Sequence, residues 1–132
     1  MTSAMQRAFA GAQAALRQSH GETVTYCRGE STVEVRALEG RSGFEAADQN
    51  GAVVYVESRD WLIAAADLVL GEAVVEPLAG DTITVARPDG KQHVYEVMPV
   101  GSESHFRISD NDGATLRIHT KEIAVEDGEG PA

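Results

Sequence analysis

Four histidines, one cysteine and an abundance of carboxylates are the residues with which this chain could do chemistry. His20, His93, His105 and His119 are scattered, and no two stand at the i, i+4 spacing with which a helix presents a pair of zinc ligands. Four surface histidines are the expectation, although His93 and His105 could meet across neighbouring strands. Cys27 has no second thiol, which excludes an internal disulfide and a four-thiolate metal site. It also falls inside an expected strand, not at the helix N-terminus that would activate a thiolate. No serine occupies a Gly-x-Ser-x-Gly elbow, and Gly80-Asp81 leads into a strand instead of the helix that a phosphate loop requires. Asp110-Asn-Asp-Gly113 has the wrong glycine spacing for an EF-hand. The reading is therefore of a chain that is not an enzyme, with no catalytic residue, no cofactor and no metal site.

What remains is positive charge in a few places. Arg107, Arg117, His119 and Lys121 gather near the C-terminus, and the last three alternate, so they share one strand face. One use of such a stripe is to keep an edge strand from sticking to others. Another is contact with an acidic neighbour, and a second copy of the chain would qualify, because 21 acidic residues against 11 basic give a net charge of −10. That balance argues against a general grip on nucleic acid. The segment Glu39–Gly51, with three glycines, Asp48 and Asn50, reads as a long loop and the best candidate for a partner-binding arm. Its Arg41 and Phe44 join the four C-terminal residues as candidate contacts.

The elements that would position these residues are mostly strands. The centre is Pro77–Pro99, where two alternating runs flank Pro88-Asp89-Gly90, a hairpin signal. Ile83 and Val85 share one face of the first strand, and Tyr95 and Val97 one face of the second, with Val94 opposite. Gly80-Asp81 opens the hairpin, the aspartate placed to bond back to nearby amides. Before it, Thr23–Arg28 and Ser31–Leu38 form another hairpin about Gly29-Glu30, with Val33, Val35 and Ala37 on one face. Ala52–Ser58 is a strand apolar on both faces, expected to be buried on both sides or to lie beneath a helix. The stretch Arg59–Leu68 allows a helical turn capped by Asp60, or a strand continuing to Ile63 with a turn at Ala65–Leu68; the second is favoured. Trp61 is read as a core anchor. A last hairpin joins Glu103–Ser109 to Ala114–Thr120.

The only helix expected runs over about 4–18, with Met5, Phe9, Ala12 and Leu16 as its stripe, and is read as covering the end of its own domain. The whole is one mainly β (α+β) domain over 1–126, a small antiparallel β-barrel or sandwich with that N-terminal helix, followed by a disordered acidic tail over 127–132. Hydrophobic content of 42% supports a core, and 5% aromatic makes it a core of Val, Ile, Leu and Ala. No run is apolar and long enough for a membrane span, so a protein used inside the cell is expected.

Taken in order, Val24-Thr-Tyr26-Cys-Arg28-Gly29, Val53–Asp60-Trp61-Leu62-Ile63, Asp67-Leu68, Pro77-x-x-Gly80-Asp81-Thr82-Ile83, Tyr95-Glu96-Val97 and Arg117-Ile118-His119-Thr120-Lys121 form a pattern. Over roughly residues 4–123 it resembles the head–tail joining (connector, stopper or adaptor) proteins of tailed bacteriophages and prophages. The resemblance implies a barrel-like structural virion protein without catalytic residues, assembled in the bacterial cytoplasm. It also implies self-association into a ring, commonly hexameric, between other virion proteins on the portal or adaptor side and on the tail side. DNA would pass through such a ring without being bound specifically. The alternative from another class is a small β-barrel module binding an oligosaccharide or single-stranded nucleic acid. Its stacking platform would have to come from one Trp and three Tyr.

Overall fold

The computed structural model describes residues 21–47, 49–109 and 114–127. Strands β1 (Glu22–Arg28), β2 (Ser31–Ala47) and β3 (Val53–Ala64) are followed by a 3-10 turn (Ala65–Asp67) and the short pair β4 (Val69–Leu70) and β5 (Ala73–Val74). Then come β6 (Thr82–Ala86), β7 (Lys91–Val97), β8 (Phe106–Ile108) and β9 (Thr115–Asp127). The main sheet runs β3-β2-β1-β6-β7-β9-β8, every neighbouring pair antiparallel. Because β3 also pairs with β9, from Arg59↔Thr120 to Ala64↔Thr115, six strands form a circuit of ladders that returns on itself.

Alternation explains which side is inside. Val24 and Tyr26, Val35 and Ala37, Trp61 and Ile63, Ile83 and Val85, Tyr95 and Val97, and Leu116 and Ile118 all point into one core. Each is two residues from its partner, the period at which a strand repeats a face. Burying each of the larger side chains contributes roughly 1.5–3 kcal/mol. Trp61 is fully buried, its ring edge-on to Tyr95 at 5.3 Å and its Nε1–H donating to Thr120 Oγ1 at 3.1 Å. The two expected hairpins about Gly29-Glu30 and Pro88-Asp89-Gly90 are present in the expected faces. The favoured course of Arg59–Leu68 is also the observed one, a strand to Ala64 and then one 3-10 turn.

Glu39–Gly51 is not a long loop. β2 continues to Ala47 and pairs without interruption with β3, from Ala37↔Ile63 to Ala47↔Val53. Of the three glycines that suggested a loop, Gly51 does lie in the turn, whereas Gly43 has another cause. A side chain on Gly43 would collide with the Tyr55 ring, whereas one on Gly40 would meet the Arg117 guanidinium only at contact distance, 3.4 Å. Glycine inside a strand here marks a neighbour lying over the backbone.

Nor is Ala52–Ser58 buried on both sides: Val53 is 71% and Tyr55 69% exposed. These residues lie on a ribbon that has left the core. The strand β9 runs on to Asp127, with Glu126 and Asp127 opposite Gln92 and Lys91, so the expected tail begins as paired strand. The helix expected over about 4–18, residues 128–132 of the tail and the turn at 110–113 lie outside the described residues.

Candidate partner interface

The arm is built by the unequal reach of three strands. β1 accompanies β2 only to Ala37, and β9 accompanies β3 only from Arg59 onward. Beyond those points Leu38–Arg41 still pairs with Arg59–Leu62, which β9 flanks, while Ser42–Ala47 and Val53–Ser58 have only each other, a two-stranded ribbon whose β3 half alone adds roughly 20 Å at the usual strand rise. Val53, Val54 and Tyr55 sit exposed at its outer end. A solvent-facing apolar group on a projecting element is the usual mark of a contact surface.

A buried carboxylate fixes the arm where it leaves the body. Asp60 on β3 is wholly enclosed. Its Oδ2 accepts from Arg117 Nε at 2.6 Å and from the Ser42 hydroxyl of the arm's other strand. Its Oδ1 accepts from Ser58 at 2.6 Å and from His119 Nδ1 at 2.8 Å. Arg117 also donates to the Arg41 carbonyl at 3.1 Å, so one guanidinium ties β9 to both arm strands. Burial pushes the Asp60 carboxyl up, but bonds from His119, Ser42, Ser58 and Arg117 outweigh it and hold the group far below the ordinary carboxylate range.

Aspartate, histidine and serine in contact invite comparison with a hydrolytic relay, in which histidine stands between acid and hydroxyl. Here Ser58 and His119 both bond the same carboxylate oxygen. The aspartate is the hub, and the arrangement holds a charge in place instead of passing a proton along.

A second hub fastens the entry to β6. The Asp81 carboxylate accepts Tyr26 O–H at 2.5 Å, Arg28 Nη2 at 2.9 Å and the Leu78 backbone N–H at 3.0 Å. Arg28 also donates to the Glu76 carbonyl at 2.6 Å. Burial raises this carboxyl too, and bonds from Arg28, Tyr26 and the Leu78 amide bring it below its ordinary value. The bond from Asp81 back to a nearby amide is as expected; the meeting with Tyr26 and Arg28 was not visible from spacing.

At one end of the body Arg87 lies 5.8 Å from the centroids of both Trp61 and Tyr95 and bonds Glu39 at 2.9 Å. Beside it His93 is held between Glu122 at 2.7 Å and Asp89 at 2.9 Å. His93 and His105 do not meet; the His105 ring bonds the Pro77 carbonyl. Among the described residues no three His, Cys, Asp or Glu come together as a metal site.

The six candidate contacts divide accordingly. Arg117 and His119 turn inward to Asp60, and His119, 1% exposed, is not a surface histidine. It is buried because Asp60 supplies a charged partner that a lone imidazole on that face would lack. Arg41 is exposed on the arm opposite Arg59, and Phe44 is paired in the backbone ladder with Val56. Arg107 on β8 is 54% exposed, with Glu103 at 4.0 Å. Lys121 is exposed and lines a groove of about 190 Å³ with Val56, Glu57, Ser58, Met98, Pro99 and Val100. The exposed apolar residues that sequence reading did not single out as candidates are Val53, Val54 and Tyr55. Their signal was Gly43, one diagonal step from Tyr55 across the hairpin and overlain by its ring, legible only once the register is known.

A family model described as phage head-tail joining protein matches residues 2–127. No curated protein matches the chain.

Proposed function

The chain belongs to the phage head-tail joining protein family, and from that premise we propose that it is a structural component of the neck, set as a ring of identical subunits between portal and tail. The observation that carries this reading is the arm, an apolar-tipped ribbon projecting from a body whose core, among the described residues, is built by the other strand segments. A subunit of a ring must present two unlike patches that fit each other, and an arm on one side with a receiving surface elsewhere meets that requirement. The closed circuit of ladders supports a barrel-like body, stiff enough to bear load between head and tail. The charge of −10 suits a protein past which DNA slides, because acidic groups repel phosphate. Assembly in the bacterial cytoplasm, with virion proteins on either side as partners, follows from the same reading.

Electron microscopy of particles assembled without this protein tests it. Filled heads separated from finished tails are expected, and restoring the protein should restore joining. Normal tailed virions in its absence would end the proposal.

A further inference from the structure

One face of the arm continues the inside of the body. Residues opposite each other in an antiparallel ladder share a face. The inward series that holds Ala37↔Ile63 and Glu39↔Trp61 therefore runs on through Gly43↔Glu57 and Glu45↔Tyr55 to Ala47↔Val53. In the body this side is core; on the arm it carries Val53 and Tyr55, the two most exposed large apolar side chains among the described residues. Glu45 and Glu57 lie exposed beside them. The strands that flank β2 and β3 in the body do not reach this face, since β1 stops at the Ala37 rung and β9 begins at Arg59. A two-stranded ribbon with an apolar face is at best marginally stable in water and needs a cover.

The nearest chain able to supply one precedes β1. Glu22 pairs with Ala37 and bonds Arg87 at 3.3 Å, so residues 1–20 join the body beside the stretch of β2 that leads into the arm. Their apolar residues Met5, Phe9, Ala12 and Leu16 recur at helical spacing. An extended link from Glu22 back to Gln18, and a helix from there to Met5, reach about 33 Å. That is also about the strand length from Ala37 to Ala47, the partner of Val53. Charge agrees with reach: residues 1–20 contain Arg7 and Arg17 and none of the chain's 21 acidic residues, while the face offers Glu45 and Glu57. We infer that residues 1–20 lie along the arm of their own chain, their apolar stripe on the Val53 and Tyr55 face, with Leu16 at the foot and Met5 at the tip. The tether favours the chain's own segment over a second copy's, because a short link holds it at a roughly millimolar effective concentration. It disfavours the other exposed apolar pair, Ile123 and Val125, which lies across β6 and β7 from β1. The opposite face, with Val54 and Val56, remains available to a neighbouring subunit, so this cover neither rests on the neck reading nor competes with it.

The test uses the full chain carrying Cys27→Ser and pairs of introduced cysteines, oxidised with glutathione disulfide and followed on non-reducing gels. Met5→Cys with Val53→Cys should close a bond within one chain at least about tenfold faster than Met5→Cys with Ile123→Cys. Mixing tagged and untagged chains shows whether a bond joins two copies. A Val53 pair no faster than the Ile123 pair overturns the inference, and so does a bond formed mainly between chains. A second readout leaves the native cysteine in place. Phe9→Ser should shift the Val53 methyl and Tyr55 ring resonances and leave those of Ile123 unmoved, with the thermal melt, set by the core, unchanged. Val53 and Tyr55 resonances that do not respond overturn the inference as well.

Discussion

A carboxylate shut away from water keeps its charge only if donors replace the water, and Asp60 has four side chains doing so. Asp60→Ala leaves the Arg117 guanidinium facing a cavity and His119 without its acceptor. Breaking a buried pair from one side costs about 3–5 kcal/mol, a large share of the roughly 5–15 kcal/mol that holds a domain folded. Urea unfolding followed by tryptophan fluorescence should show that loss, through Trp61, and a loss below about 1 kcal/mol would mean that the hub is dispensable. Gly43 makes a smaller and more local prediction. Gly43→Val drives a side chain into the Tyr55 ring, so the ring must leave its place on the arm while the core is untouched. The tyrosine fluorescence and ring resonances should change with little shift in the melting temperature. Neither hub was legible in the sequence. Asp60 gathers Ser42, Arg117 and His119 from 18, 57 and 59 positions away, and Asp81 reaches Tyr26 over 55. No local pattern records such meetings. The alternating pattern records only that Arg117 and His119 share a face, not that Asp60 waits beneath it.

The same division between local and distant information runs through the elements. The hairpins about Gly29-Glu30 and Pro88-Asp89-Gly90 could be read because their turns and their alternation lie within a few residues. The arm could not, because Gly40 and Gly43 imitate loop composition while lying within a strand, Gly43 beneath the Tyr55 ring. Its apolar run imitates a buried strand while being exposed at the tip. What distinguishes the two halves of β3 is company: Arg59–Ala64 lies between β2 and β9, Val53–Ser58 beside β2 alone. Hydrogen exchange should therefore divide this one strand. Amides turned toward β9, such as those of Trp61 and Ile63, should exchange only with global unfolding, whereas those of Val53, Tyr55 and Glu57 should exchange within the dead time for an isolated subunit. Equal protection along the strand would mean that the arm edge is already covered within one chain. If protection of the arm amides rises with protein concentration, the cover comes from another copy.

At the scale of the whole molecule, stability against pH brings these groups together, and the sign differs at the two ends. The carboxyls of Asp60 and Asp81 both titrate below their ordinary value in the fold, despite burial, because of the bonds they accept. Their contribution is complete above the unfolded value of about 4 and is lost as pH falls from there toward the folded values. His93 moves the opposite way, raised by hydrogen bonds to Glu122 and then to Asp89. With both ring nitrogens facing carboxylates, only the doubly protonated imidazolium can donate to both. Its contribution is complete below the unfolded value of about 6.5 and fades as pH rises through the raised folded value. Stability should therefore be flat between about pH 4 and 6.5, with a deep acid limb and a shallow neutral one. The limbs should also differ in their response to salt. Asp89 and Glu122 are 46% and 43% exposed, and their attraction for His93 is screened. The enclosed Asp60 keeps its partners within bonding distance, where ions do not intrude. Unfolding midpoints measured across this range at low and at high salt should show the neutral limb shrinking and the acid limb losing only the share of Asp89 and Glu122, which His93 also lowers, while the share of Asp60 persists. His93→Gln should abolish the neutral limb and trim the acid limb by the share of Asp89 and Glu122, whose carboxyls His93 lowers, because a glutamine can bond one carboxylate but carries no proton to lose. A neutral limb that survives that substitution would place its origin in some other group.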